Sequence, residues 1–120
     1  MTDRAFLEEL FAPLGGIAVK RMFGGLGVFR DGLMIALVAN DVLHFKADAE
    51  TIPAFEAEGS IPFSYDRKDG RTTLTSYWRV PERLFDEPET FLAWAERAVA
   101  AARRHAARPA RKGRRRMAEA

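Results

Sequence analysis

The segment Arg21-Met22-Phe23-Gly24-Gly25 is the first place where residue types and spacing could do chemistry. Glycine-rich turns expose backbone N–H groups that can hold a phosphate. A dinucleotide-binding or Walker-type loop, however, needs a further glycine or Gly-Lys-Ser pattern and a helix directly after it. Here Gly24-Gly25 joins two predicted strands. The sequence therefore favours a tight turn, where bulky neighbours or a partner approach the backbone, over a phosphate-binding loop.

Arg21 raises a separate question because it alternates with Ile17 and Val19 along the first predicted strand. Side chains two residues apart lie on the same face of a strand, so this spacing sets the guanidinium on an apolar face. A guanidinium there must be paired or must extend to the surface. We expect a structural role, in which Arg21 points toward the core and pairs with a carboxylate or with carbonyl oxygens. Binding of an anion or a protein partner is the alternative.

His44 is the second side chain with catalytic potential. It alternates with Val42 and Lys46, so we expect it on the more polar face of its strand, near solvent. No Ser, Asp or Glu forms a local motif with it, although catalytic triads are assembled in space rather than in sequence. The sequence therefore offers no catalytic residue, and catalysis by His44 is a weak alternative.

The counts of cysteine and histidine exclude much metal and covalent chemistry. The chain has no cysteine and two histidines, so it can form no disulfide or thiolate site, and we expect neither a metal nor a cofactor. Its 120 residues, 48% of them hydrophobic, fit one domain with a real core. No apolar run reaches the roughly 18 residues of a membrane span, and residues 1–4 do not begin a signal peptide. We expect a cytoplasmic protein that does not contact membranes.

The charge of the chain is divided unevenly along its length. Residues 1–102 carry 11 Lys/Arg and 16 Asp/Glu, a net charge of −5, whereas the remaining 18 residues carry +7. An acidic body argues against a broad phosphate-binding face, but a short basic tail could contact polyanions without sequence preference. We predict a folded domain at 1–107 and a disordered basic tail at 108–120. The candidate nucleic-acid contacts of the tail are Arg111, Lys112, Arg114, Arg115 and Arg116.

Two hydrophobic periods alternate along the chain and predict its architecture. A period of about 3.6 residues indicates amphipathic helices, and alternation bounded by turn residues indicates strands. Their order, α-β4-α-β2-α, predicts an α/β (α+β) two-layer sandwich with three helices and an antiparallel sheet of about six strands. The predicted elements are a helix capped by Asp3, strands at 17–22, 26–30, 33–39 and 42–46, a helix within 47–59, strands at 62–67 and 71–80, and a last helix that starts within 86–89, with Asp86 as its N-cap, and runs to about 107.

Aromatic side chains on two neighbouring predicted strands have two interpretations. Tyr77 and Trp78 lie on one strand, and Phe63 and Tyr65 lie on the preceding one. Such residues could form a base-stacking platform beside the basic tail. Cross-strand aromatic pairs also hold hairpins together, and the acidic body favours this packing role. The alternative is a nucleic-acid-binding adaptor that uses the tail together with Tyr77 and Trp78.

These motifs together resemble the N-terminal domain of the TfoX/Sxy family over about residues 3–104. The resemblance implies a fold like that of secretion chaperones and a link to regulation of competence for DNA uptake. Full-length regulators of the family act with the cyclic-AMP receptor protein at promoters and carry a second, helical C-terminal domain, which this chain does not match. The family is not defined by a catalytic site, so the motif transfers as a signature of unknown role. The resemblance rests on Arg21-Met22-Phe23-Gly24-Gly25, Gly27-Val28-Phe29, Phe63-Ser64-Tyr65 and Ser76-Tyr77-Trp78-Arg79-Val80-Pro81.

The residues and the resemblance predict a non-enzymatic regulatory or protein-interaction module. Its partner is expected to be a protein that the sequence does not identify, with weak non-specific contact to nucleic acid through the tail as an addition. Two alternatives stay open: the nucleic-acid-binding adaptor, and a small-molecule binder or enzyme with Arg21 and His44 in a cleft. DNA affinity that survives removal of the tail would favour the first. Convergence of Arg21 and His44 on one concave pocket would favour the second.

Overall fold

The computed structural model describes residues 2–22 and 24–108 of the chain. Its helices and strands follow the order that the sequence predicts, with a short 3₁₀ helix (Glu82–Asp86) added before the last helix. Phe23 and residues 109–120, which include most of the predicted tail, lie outside the described residues. The elements are α1 (Arg4–Leu10), β1 (Ile17–Met22), β2 (Gly25–Arg30), β3 (Leu33–Ala39), β4 (Val42–Lys46), α2 (Ile52–Ala57), β5 (Pro62–Arg67), β6 (Gly70–Arg79) and α3 (Pro88–Ala107).

The turns of the first four strands follow from their residue types. Asp31 and Gly32 both have positive φ, 52° and 79°, as the mirror-image hairpin turn between β2 and β3 requires. Asn40 and Asp41 join β3 to β4 with φ values of 52° and 63°, which Asn and Asp tolerate better than most residues. These two turns make β2, β3 and β4 an antiparallel meander.

The six strands form one antiparallel sheet in the order β1-β2-β3-β4-β6-β5. β4 pairs with β6 and not with β5, so the hairpin of β5 and β6 joins the meander through its second strand. This order places β1 and β5 at the two edges and β3 and β4 at the centre. The position of β1 at an edge decides the environment of Arg21, as described below.

The three helices pack on one face of the sheet and bury a shared core. Leu7 of α1, Phe55 of α2 and Phe91 of α3 belong to the same buried cluster as the inward-facing strand residues. In this cluster the ring centroid of Phe91 lies 5.1 Å from that of Phe11 and 5.2 Å from that of Phe45. The fold is therefore the predicted two-layer α+β sandwich, with helices on one face and the sheet itself as the second layer.

Strand register shows which residues share each face. The row Val19-Val28-Ala36-Phe45-Trp78 crosses five strands on the helix-covered face, and all its members belong to the core. The neighbouring row Lys20-Gly27-Leu37-His44-Arg79 crosses the same strands on the opposite face, which we call the outer face. Arg21 shares the face of Val19, so Arg21 and His44 lie on opposite sides of the sheet.

Candidate functional site

The turn that contains the signature motif lies at the end of the sheet where α1 begins and where β3 turns into β4. An open groove with a volume of about 720 Å³ runs between these segments. We call it the signature groove. Its lining residues are Thr2, Asp3, Arg4, Arg21, Met22, Gly24, Gly25, Leu26, Val38, Asn40 and Asp41. The motif therefore contributes to a concave surface that a partner can enter.

Arg21 is exposed in this groove, so the expectation of a buried guanidinium is wrong. Its alternation with Val19 is correct, because register aligns Arg21 with Leu26 and Val38 on the helix-covered face. Burial declines along this row toward the edge strand. Leu43 is 3% exposed, Val38 is 5% exposed, Leu26 is half-buried and Arg21 is open to solvent. Distance from the centre of the sheet, rather than the choice of face, decides the environment of Arg21.

The acidic residues of the signature groove are engaged with the backbone and not with Arg21. Asp3 caps α1, where its Oδ1 accepts a hydrogen bond from the N–H of Phe6 at 2.9 Å. Asp41 Oδ1 accepts a hydrogen bond from the backbone nitrogen of Thr2 at 2.6 Å, and this contact lowers the pKa of the Asp41 carboxyl. Within the described part of the chain, the Arg21 side chain forms neither an ion pair nor a hydrogen bond. Its guanidinium is available to a binding partner.

The other described residues of the motif have structural explanations. Gly24 has a φ of 75°, in the left-handed region that favours glycine, and it forms the turn between β1 and β2. Gly25 has no room for a side chain, because a Cβ there would overlap the carbonyl oxygen of Val38. Met22 reaches the outer face, where its sulfur packs over β2. Arg21 is the described residue of the motif for which neither packing nor turn geometry supplies a role.

His44 is buried, with 4% of its surface exposed, so the expectation of a solvent-facing histidine is wrong. It does lie on the outer face, but there it is flanked by Leu37 and by the ring of Phe63 at a centroid distance of 5.1 Å. Its Nδ1 lies 3.0 Å from the carbonyl oxygen of Val42. Removal from water lowers the pKa of His44 from 6.5 to about 4, and the charge of Arg79 acts in the same direction. At neutral pH His44 is a neutral, packed side chain.

The residues of the two alternative sites are not brought together. Arg21 and His44 lie on opposite faces, so they do not converge on one cleft. Tyr77 and Trp78 are divided in the same way, because Trp78 belongs to the core whereas Tyr77 lies on the outer face beside β4. A stacking platform made of this pair is therefore not formed. The basic residues proposed to act with it, at 111–116, lie outside the described residues.

One wall of the signature groove was not anticipated from the sequence. Thr2, Asn40 and Asp41 line it opposite the glycine turn. Asn40-Asp41 is recognisable as a turn from residue type alone, but its position beside Gly25 depends on how β2 pairs with β3. Thr2 and Asp41 are 39 residues apart in the sequence, and no local sequence pattern predicts their contact.

The described residues provide neither a metal site nor a membrane-spanning helix. No three His, Asp or Glu side chains there form a group that could hold a metal ion. No helix in the same ranges combines the length and apolar character that crossing a membrane requires.

The structure is therefore that of a two-layer α+β domain with an open groove at one end of its sheet. Residues 9–102 match the family described as the TfoX N-terminal domain, so the chain belongs to this family and the resemblance noted in its motifs is confirmed. The chain is also 29% identical over 101 residues to the DNA transformation protein TfoX1 of Aliivibrio fischeri. That alignment covers 81% of this chain and 48% of the relative, so the chain spans about half the length of the curated relative it matches.

Proposed function

We propose that this chain is a non-enzymatic regulatory module that binds a protein partner through the signature groove. The observation that carries the proposal is the exposed Arg21 guanidinium, which has no side-chain partner among the described residues and stands in a concave surface. An arginine of this kind can make a bidentate contact to a carboxylate of a partner. Gly25 packs closely against the Val38 carbonyl, so this part of the groove is held in place before a partner binds.

The family supports a regulatory role connected with DNA transformation. The matched relative carries the name DNA transformation protein, and the alignment covers most of this chain. We extend to this chain a role in regulating competence for DNA uptake, exerted through contact with another protein. The proposed location is the cytoplasm, where such a regulator would meet its partner.

The basic segment at the end of the chain forms a separate part of the proposal. Arg111, Lys112, Arg114, Arg115 and Arg116 would add weak, sequence-independent and salt-sensitive attraction to nucleic acid. Deletion of residues 108–120 tests this part. Non-specific DNA binding should be lost, while capture of the protein partner through the signature groove should be retained.

Crosslinking from the wall of the signature groove tests the main proposal. A photo-reactive amino acid at the exposed Asn40 should capture the partner in a lysate of the source cells, whereas the same probe at the exposed Lys68 should not. Arg21→Glu should remove the Asn40 crosslink and leave the melting curve unchanged, with Arg67→Glu as the matched control for surface charge. Equal capture by Arg21→Glu and by the unaltered protein would contradict the proposal.

A further inference from the structure

The outer face of the sheet carries a second apolar surface that is distinct from the signature groove. Met22, Phe29, Met34 and Leu37 are half-buried on β1, β2 and β3. None of them belongs to the core cluster or to the side chains packed against it. All three helices lie on the other face, so none of the described helices covers these side chains.

Side chains pack against one another at the centre of this surface and leave no groove between them. A Cβ at Gly27 would overlap the Met22 sulfur and would lie 2.9 Å from the Phe29 ring and 3.1 Å from the Met34 sulfur. The three side chains therefore meet above Gly27 and form one contiguous apolar patch. Contiguous apolar patches on a protein surface mark interaction sites, and methionine adapts its shape to a partner.

The charged side chains on the three strands that carry the patch are all cations. The exposed Lys20 lies at one end of the row that crosses the patch, with its Nζ 5.0 Å from the Phe29 ring centroid. The exposed Arg79 lies at the other end of the same row. β1, β2, β3, β4 and β6 contain no Asp or Glu, and Asp66 of β5 is paired with Arg71. The outer face is therefore an apolar patch flanked by cations.

The spacing of these cations indicates the shape of the partner. Lys20 and Arg79 stand on strands that are four inter-strand steps apart, a span of roughly 19 Å at about 4.8 Å per step. An α-helix rises 1.5 Å per residue, so about 13 residues cover this span. We propose that the outer face binds an amphipathic helix of a partner protein, whose apolar side meets the methionine patch and whose acidic side chains meet Lys20 and Arg79.

Two other occupants fit these observations less well. A second copy of the chain would bring the same cations of both molecules to one interface. A nucleic acid needs many phosphate contacts, but this face offers few exposed cations around aliphatic and thioether side chains, on a body with a net charge of −5. The apolar centre and the paired cations together favour a protein helix.

A selection experiment with the full chain tests the proposal. A displayed library of random peptides about 15 residues long, enough for a helix that covers the span, is selected on the immobilised protein. The enriched peptides should carry Leu, Met or Phe at helical spacing, with Asp or Glu toward both ends. Leu37→Glu should weaken their binding at least tenfold, and Phe6→Glu, at a position that is 37% exposed on α1 and on the other side of the sheet, should not.

Charge reversal keeps the test decisive even if Leu37→Glu does not fold. The double variant Lys20→Glu with Arg79→Glu changes only exposed positions, and the same library should then yield peptides with basic ends. Arg21→Met should leave peptide binding unchanged, which separates this proposal from that of the signature groove. Enriched peptides without a charge preference would overturn the proposal. Binding of oligo-dT, or dimerisation of the chain, that is abolished by the double variant would also overturn it.

Discussion

Arg21 and His44 lie on strands of the same sheet in opposite environments. Arg21 is on the helix-covered face and is exposed, whereas His44 is on the uncovered face and is buried. Arg21 lies on the edge strand β1, whereas the core buries the residues that pair in line with it on the central strands. His44 stands on a central strand, with Leu37 on one side and Arg79 on the other. In a small two-layer domain, neighbours within the sheet bury a side chain as effectively as a second layer does.

Arg21 and His44 also differ in how tightly their surroundings are packed and in how accessible each side chain is to a ligand. Gly25 packs closely against β3, whereas Arg21 is exposed and has no side-chain partner among the described residues. His44 is held by packing on several sides and is only 4% exposed. Arg21 is therefore suited to recognition, and the perturbed titration of His44 reflects its structural role.

The largest effect is expected at Gly25, the residue that fixes the Arg21 turn. Gly25→Val should lower the free energy of unfolding by about 3 kcal/mol or more, because its side chain would overlap the Val38 carbonyl and force β2 away from β3. Urea denaturation followed by tryptophan fluorescence measures this change. The control is Gly24→Ala, which meets open space and should cost about 1 kcal/mol from its positive φ alone. Equal losses for the two variants would contradict the close approach at Gly25.

The next effect is the pH dependence that His44 confers. Because its pKa is lowered to about 4 in the folded state, the unfolded chain binds the proton more tightly. The contribution of His44 to the free energy of unfolding should be constant well above pH 6.5 and should fall by about 3 kcal/mol as the pH drops to 4. Denaturation of a His105→Gln protein, with and without His44→Phe, measures this. Just below pH 6.5, where the carboxylates stay ionised in both states, the slope should be nearly absent from the double variant, and a slope of equal size in both proteins would assign the proton to another group.

A smaller effect is expected when one neighbour of His44 is removed. Phe63→Ala deletes the ring that contacts the imidazole edge, so water reaches His44 and its pKa should rise toward 6.5. The half-buried ring should contribute about 1 to 2 kcal/mol to the free energy of unfolding. NMR titration of the His44 ring protons measures the pKa. An unchanged pKa would show that Leu37 and the strands alone keep water away.

Local features of this fold were predictable from the sequence. The Asp31-Gly32 turn and the alternation of β1 both follow from residue type and period. The predicted faces of Arg21 and His44 are therefore correct, but the predicted burial of each side chain is wrong. Burial depends on the strand order, which places β1 at the edge, and pairing between distant strands leaves no periodic signal along the chain.

The position of the groove wall was unpredictable for a related reason. Extended from Asp31-Gly32, an unbroken hairpin would pair Leu26 with Leu37. A bulge between Val28 and Phe29 shifts the register by one residue, so that Leu26 pairs with Val38. This shift helps set which β3 residues stand beside the glycine turn. A bulge of this kind is decided by packing on both faces and not by the turn residues.

The smallest effect on stability is expected at Arg21, where the sharpest effect on binding is also proposed. Arg21→Met should change the free energy of unfolding by less than about 0.5 kcal/mol, because an exposed and unpaired guanidinium contributes little to the fold. Arg4→Met is the matched control on the same groove, since the Arg4 Nη1 donates a hydrogen bond to the carbonyl oxygen of Val19, and its loss should cost about 1 kcal/mol. Urea denaturation of both variants measures the difference. A loss of about 2 kcal/mol or more for Arg21→Met would reveal a structural partner for the guanidinium. Arg21 would then not be free to make the contact that we propose for partner recognition.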